Sequence, residues 1–98
     1  MTTIALIGAL DTKGEDFAFL KAEIEKRGYH TLVVDFSVIG EPAFAADISR
    51  EEVADAGEVP LATLQANGDR GEAIEVMAAG AAEIVRRLYA QEKIDGII

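Results

Sequence analysis

The sequence has no cysteine, a single histidine (His30), and half as many basic as acidic residues, 9 Lys and Arg against 18 Asp and Glu. Without thiols there is no disulfide framework, no cysteine nucleophile and no thiolate metal site, and one histidine cannot build a histidine metal cluster. The net charge of -9 repels phosphate backbones and anionic lipid, so nucleic acids and membrane surfaces are not expected partners. Long apolar runs are missing as well. The run near the start, Ile4 to Ile7, is too short for a membrane span or a signal peptide, and no basic segment precedes it. The cytoplasm is the expected address.

What the chain does contain is apolar matter in a regular order. Half of its 98 residues are hydrophobic, enough for one small core in a chain that buries roughly 60–70% of its unfolded surface. Thr3-Ile4-Ala5-Leu6-Ile7-Gly8 is a continuous apolar run ending in glycine, the pattern of a strand buried on both faces. From Gly14 the period becomes helical, with Phe17, Leu20 and Ile24 on one face, Glu23 spaced to pair with Arg27, and Gly28 as a stop. Residues 29–36 are rich in β-branched and aromatic types and read as a second strand. Together these segments form a βαβ unit.

Residues 37–68 are less regular and carry both prolines; their one helix signal is Ser49-Arg50-Glu51-Glu52, a capping box. A long helix is expected from about Asp69 to Glu92, with Ile74, Met77, Ala81, Ile84 or Val85, and Leu88 on its apolar face. Residues 94–98 open a third strand. The expected fold is α/β: a three-layer, Rossmann-like parallel sheet of strand order 2-1-3 with one helix on each face, half of a doubly wound domain. Residues 1–98 are accordingly expected to be the N-terminal subdomain of a longer protein. Phe17, Phe19, Tyr29, Phe36, Phe44, Met77 and Tyr89 are expected to pack, and Glu51, Glu52 and Asp55 to face solvent.

Ligands of open parallel sheets bind beyond the carboxyl ends of the strands. Three segments arrive there. In Gly8-Ala9-Leu10-Asp11-Thr12-Lys13-Gly14 the glycines allow a tight turn, the helix start offers N–H groups to a phosphate, and Lys13 adds a positive charge. The loop is neither a Walker A nor a GxGxxG motif. Thr12 and Glu15 would equally make a capping box, and Glu15 and Asp16 oppose a phosphate. Asp35, at the end of the second strand, stands where dinucleotide folds hold a ribose hydroxyl, or else caps the loop start. In Asn67-Gly68-Asp69-Arg70-Gly71-Glu72, Arg70 suits phosphate or carboxylate while Asp69 suits an N-cap. His30 falls at the opposite end of its strand. No nucleophile and base stand out as a pair.

The loop Leu10-Asp11-Thr12-Lys13-Gly14, with Val34-Asp35-Phe36-Ser37, Gly40-Glu41-Pro42, Asp47-Ile48-Ser49, Gly68-Asp69-Arg70-Gly71 and Ile94-Asp95-Gly96-Ile97-Ile98, resembles the N-terminal part of bacterial and fungal relatives of the tomato mosaic virus resistance protein. That resemblance implies an ATP-binding region of two Rossmann-like halves. By position it carries ligand contact to Asp11, Thr12, Lys13, Gly14, Gly68, Asp69, Arg70 and Gly71. It also implies a Gly- and Ser-rich loop after the last strand that completes the site.

The expected function is therefore a subdomain that helps bind ATP, with or without Mg²⁺, or another small anionic ligand, together with the rest of its own chain. The 98 residues alone are not expected to hold the nucleotide. Two alternatives stand beside it: an enzyme acting on a small phosphorylated or carboxylate substrate, and an interaction scaffold that forms homo-oligomers through an open sheet edge.

Overall fold

The structure is a computed structural model and describes residues 2–98. Its elements are β1 (Thr3–Gly8), α1 (Leu10–Lys26), β2 (His30–Asp35), α2 (Arg50–Ala56), α3 (Leu61–Asn67), α4 (Arg70–Ala90) and β3 (Gly96–Ile97). The three strands are parallel in the order β2-β1-β3, with Thr3 opposite His30, Gly8 opposite Asp35 and Ile4 opposite Gly96.

Alternation along the strands builds two cores. Leu6 and Val33 face one side, where Leu10, Phe17, Leu20 and Ile24 of α1 cover them. Ala5 and Val34 face the other side, toward Val53 of α2, Leu61 and Leu64 of α3, and Met77, Ala81, Ile84 and Leu88 of α4. The central strand is apolar from Ile4 to Ile7 because both of its faces are covered. This is the α/β three-layer arrangement, with three helices rather than one on the second face.

The close fit of α2 against α4 depends on Gly80, where a Cβ would run into the Val53 carbonyl. The outer edge of β2 is also occupied. Ile48 pairs in parallel with Val34, and the Asp47 carboxylate accepts the Val33 N–H at 2.7 Å. Asp47 and Ile48 thus cover the end of an edge, at Val33 to Asp35, that would otherwise expose unpaired groups.

Several local expectations change. Helix α1 starts at Leu10, not at Gly14, so Thr12 lies inside its first turn and the capping box with Glu15 does not form; the N-cap is Ala9, with no side-chain cap. Glu25 pairs with Lys21 at 3.0 Å and also accepts the Thr31 hydroxyl, and this is the pairing found on α1 in place of Glu23 with Arg27. Helix α3 was not expected. Its signal is Pro60 at the N-cap followed by Leu61 and Leu64, both buried. Phe19 and Tyr89 do not pack, at 69% exposure each, and Tyr29 and Phe36 are partly exposed. Ile74 leaves the apolar face of α4 and is 60% exposed. The capping box at Ser49 forms as expected, with Glu52 as its partner.

Candidate functional site

The turn from β1 into α1 is shaped by the end of β2. Asp35 lies opposite Gly8 in the ladder, which brings its carboxylate under the first turn of α1. There Oδ1 accepts the N–H of Leu10 at 3.2 Å and of Ser37 at 2.9 Å, with Asp35 only 2% exposed. A buried carboxylate against the positive end of a helix is electrostatically favoured. It also occupies the place at α1 where a bound phosphate would sit. Asp35 therefore holds the helix start and the loop start together and does not line the cleft described below.

The same turn is bent at Lys13, whose φ of -116° and ψ of 17° interrupt the helix. The Leu10 carbonyl accepts the Ala43 N–H at 3.0 Å, and the Asp11 Oδ2 accepts the Gly40 N–H at 3.1 Å. Residues 40–43 are thereby fastened across the bend. The bend divides the loop between two surfaces. Lys13 and Gly14, with Glu15, Asp16 and Ala43, line a small hollow of about 310 Å³. Asp11 and Thr12 border that hollow too, and they also enter a larger cleft.

That cleft, of about 640 Å³, opens at the carboxyl edge of the sheet. Ala9, Asp11 and Thr12 form one side, Phe36, Ser37, Val38 and Ile39 a second, and Gly68, Asp69 and Arg70 a third. Leu64, Ile74 and Met77 supply much of an apolar wall. Of the residues singled out in the sequence, Asp11, Thr12, Gly68, Asp69 and Arg70 come together here, while Lys13, Gly14, Asp35 and Gly71 do not line it.

The third side is the start of α4. Asp69 is its N-cap, and the Asp69 Oδ1 accepts the Glu72 N–H at 3.1 Å. Gly68 ends α3 in the left-handed region at φ 62°, which accounts for its glycine without any ligand. Gly71 is exposed, and a Cβ there would make only an ordinary contact with Asp69. Nothing in the fold itself requires glycine at that position.

Ser37, quoted in the sequence only as part of Val34-Asp35-Phe36-Ser37, was not singled out as a site residue. The residue is 3% exposed and borders the cleft, and its Oγ, closed to solvent, has no hydrogen-bond partner among the described residues. Phe36, Ile39 and Ile74 were likewise read as loop or packing residues, and their exposed apolar surface faces this cleft. Among the described residues, no group of three or more His, Asp or Glu side chains is placed to hold a metal ion, and no helix is long and apolar enough to cross a membrane.

The family model that matches this sequence is the N-terminal domain of an uncharacterised protein family, UPF0261, over residues 2–98. The chain belongs to the UPF0261 family. A UPF0261 protein of Clostridium tetani is 47% identical over 95 residues, covering 97% of this chain and 24% of the relative. UPF0261 proteins of Brucella suis and Rhizobium meliloti are each 33% identical, over 97% and 100% of the chain and 23% and 24% of the relatives. The chain thus spans about a quarter of the length of the curated relatives it matches. No solved structure matches.

This membership replaces the resemblance to the tomato mosaic virus resistance protein, because both the family model and the matched relatives are UPF0261. The ATP-binding role and ligand contacts implied by that resemblance lose their footing with it. What remains is the geometry of the UPF0261 N-terminal domain itself.

Proposed function

We propose that this domain is a small-molecule-binding lobe whose cleft at the carboxyl edge of the sheet takes a nucleotide-type ligand. The observation that carries the reading is the convergence of Thr12 and Arg70, from turns far apart in sequence, on one cleft with Ser37 and an apolar wall. Its volume of about 640 Å³ suits an organic ligand of that size. The planar, weakly polar part of the ligand lies against Phe36, Ile39, Ile74 and Met77. Its anionic end lies beside the Arg70 guanidinium at the start of α4.

Isothermal titration of the protein with adenine and guanine nucleotides tests this. Arg70→Ala is expected to weaken binding by about tenfold, the loss typical of one charge-assisted contact. Lys13→Ala should leave affinity unchanged, because Lys13 faces the other hollow. No binding by any of these nucleotides, or a loss in Lys13→Ala with none in Arg70→Ala, would reject the reading.

A further inference from the structure

The two edges of the sheet are unlike. At β2 the outer edge is closed by Asp47 and Ile48. At β3 no strand pairs on the outer side among the described residues. Ile98 donates to the Ala5 carbonyl at 2.9 Å and accepts the Ile7 N–H at 3.1 Å. Backbone alternation therefore turns the N–H and carbonyl of Ile97 outward, where they offer a template to a further strand. The side chains agree with this. Ile97 pairs with Ala5 and so lies on the α4 face, while Ile98, one residue on, lies on the α1 face. Apolar residues on both faces mark an interior strand of a parallel sheet, as they do in β1. Yet Ile97 and Ile98 are 55% and 59% exposed.

The second observation is on α4. Gly80 and Val76 mark its side toward α2, where they meet Val53 and Gly57. At 3.6 residues per turn, Ala78, Ala82, Val85 and Tyr89 fall on the opposite flank as an unbroken apolar stripe. Val85 is partly buried and the other three are exposed. The handedness of crossovers links this stripe to the open edge. The step from β1 to β2 runs one way across the sheet with α1 on one face. The step from β2 to β3 runs back, with α2, α3 and α4 on the other face. A strand beyond β3 continues in that second direction, so a right-handed connection lays its helix on the α4 face, beside α4. The stripe lies there.

We infer that the sheet of a UPF0261 protein grows at β3 and not at β2. The occupant is the part of the protein that follows this domain: it adds a parallel strand along Ile97 and packs a helix against Ala78, Ala82, Val85 and Tyr89. The domain is N-terminal in its family and makes up 24% of the Clostridium tetani relative, so such a protein has ample chain to supply both. This inference is independent of what the cleft binds.

Hydrogen exchange and paired variants of a full-length UPF0261 protein carrying this domain test it. The Ile97 amide is expected to exchange at least about a hundredfold more slowly than a free amide. Ala82→Arg should lower the unfolding temperature by about 2 °C or more, and Ala79→Arg, on the outer face of α4, by less than about 1 °C. Both alanines are exposed in the domain itself, so only a docked element tells them apart. Sedimentation identifies that element: protection of Ile97 and sensitivity at Ala82 should persist in the monomer. Their loss on dilution would assign the edge to a second copy and overturn the inference. An Ile97 amide exchanging as a free one, or equal tolerance of the two arginines, overturns it as well.

Discussion

Asp11 and Arg50 hold opposite ends of the same residue: the Asp11 carboxylate accepts the Gly40 N–H at 3.1 Å, and the buried Arg50 guanidinium donates to the Gly40 carbonyl. The first turn of α1 and the start of α2 are thus joined through one loop position. Gly40 lies next to Ile39, so the clamp also fixes a wall of the cleft. An ordered cleft wall is what a site needs when its residues lie on a loop.

The clamp predicts coupled stability. Arg50→Met leaves the Gly40 carbonyl without its donor and is expected to cost about 1–3 kcal/mol, and Asp11→Ala about 1 kcal/mol. Because both act on one peptide segment, the double variant should lose less than the sum of the two, by about 0.5 kcal/mol or more. Urea unfolding of the four proteins checks this; strict additivity would mean that the two contacts act independently.

Asp35 anchors the opposite side of the same turn. Asp35→Ala strands two buried N–H groups, those of Leu10 and Ser37, and is expected to destabilise by about 2–4 kcal/mol. Asp35→Asn keeps an acceptor and should cost less. With the fold intact, Asp35→Asn should retain ligand affinity, since the carboxylate does not line the cleft. Denaturation midpoints and titration calorimetry separate these effects.

Two glycines of α4 should respond oppositely to alanine. Gly80→Ala forces α4 away from the Val53 carbonyl and is expected to cost about 1–3 kcal/mol even though alanine favours helix. Gly71→Ala has room for its methyl group and should raise stability by up to about 1 kcal/mol. If the same variant weakens nucleotide binding while raising the unfolding temperature, the glycine serves close approach of a ligand.

Glu83 makes a pH-dependent contribution on the outer surface of α4. Hydrogen bonds from Arg86 and then Arg87 hold its carboxyl down to about 2 from the ordinary value of 4.5. A lowered pKa in the folded protein means that the stabilisation is present above about 4.5 and is lost as the pH falls toward 2. The difference in unfolding temperature between wild type and Glu83→Gln should therefore be small at neutral pH, where solvent screens the pair, and vanish near pH 2. Added salt at neutral pH should shrink it too.

The apolar run of β1, the change of period at α1 and the long face of α4 were legible because each follows from local spacing. So was the parallel order, since strands joined by helices return in the same direction. Helix α3 was hidden by its length: two leucines one turn apart carry too little periodicity to stand out. The site was legible only as a rim. Position along the strands pointed to the turns at Asp11 and Arg70 but could not assign their side chains to one surface or another.

Those assignments came from contacts between segments distant in sequence. The bend at Lys13, fastened by Gly40 and Ala43, turns Lys13 out of the cleft and leaves Thr12 inside it. Asp35, a ligand candidate by position, became a helix anchor because the ladder brings it opposite Gly8. Backbone spacing sets which elements form. Which polar atoms are satisfied within the fold, and which side chains share a surface, depends on how those elements pack.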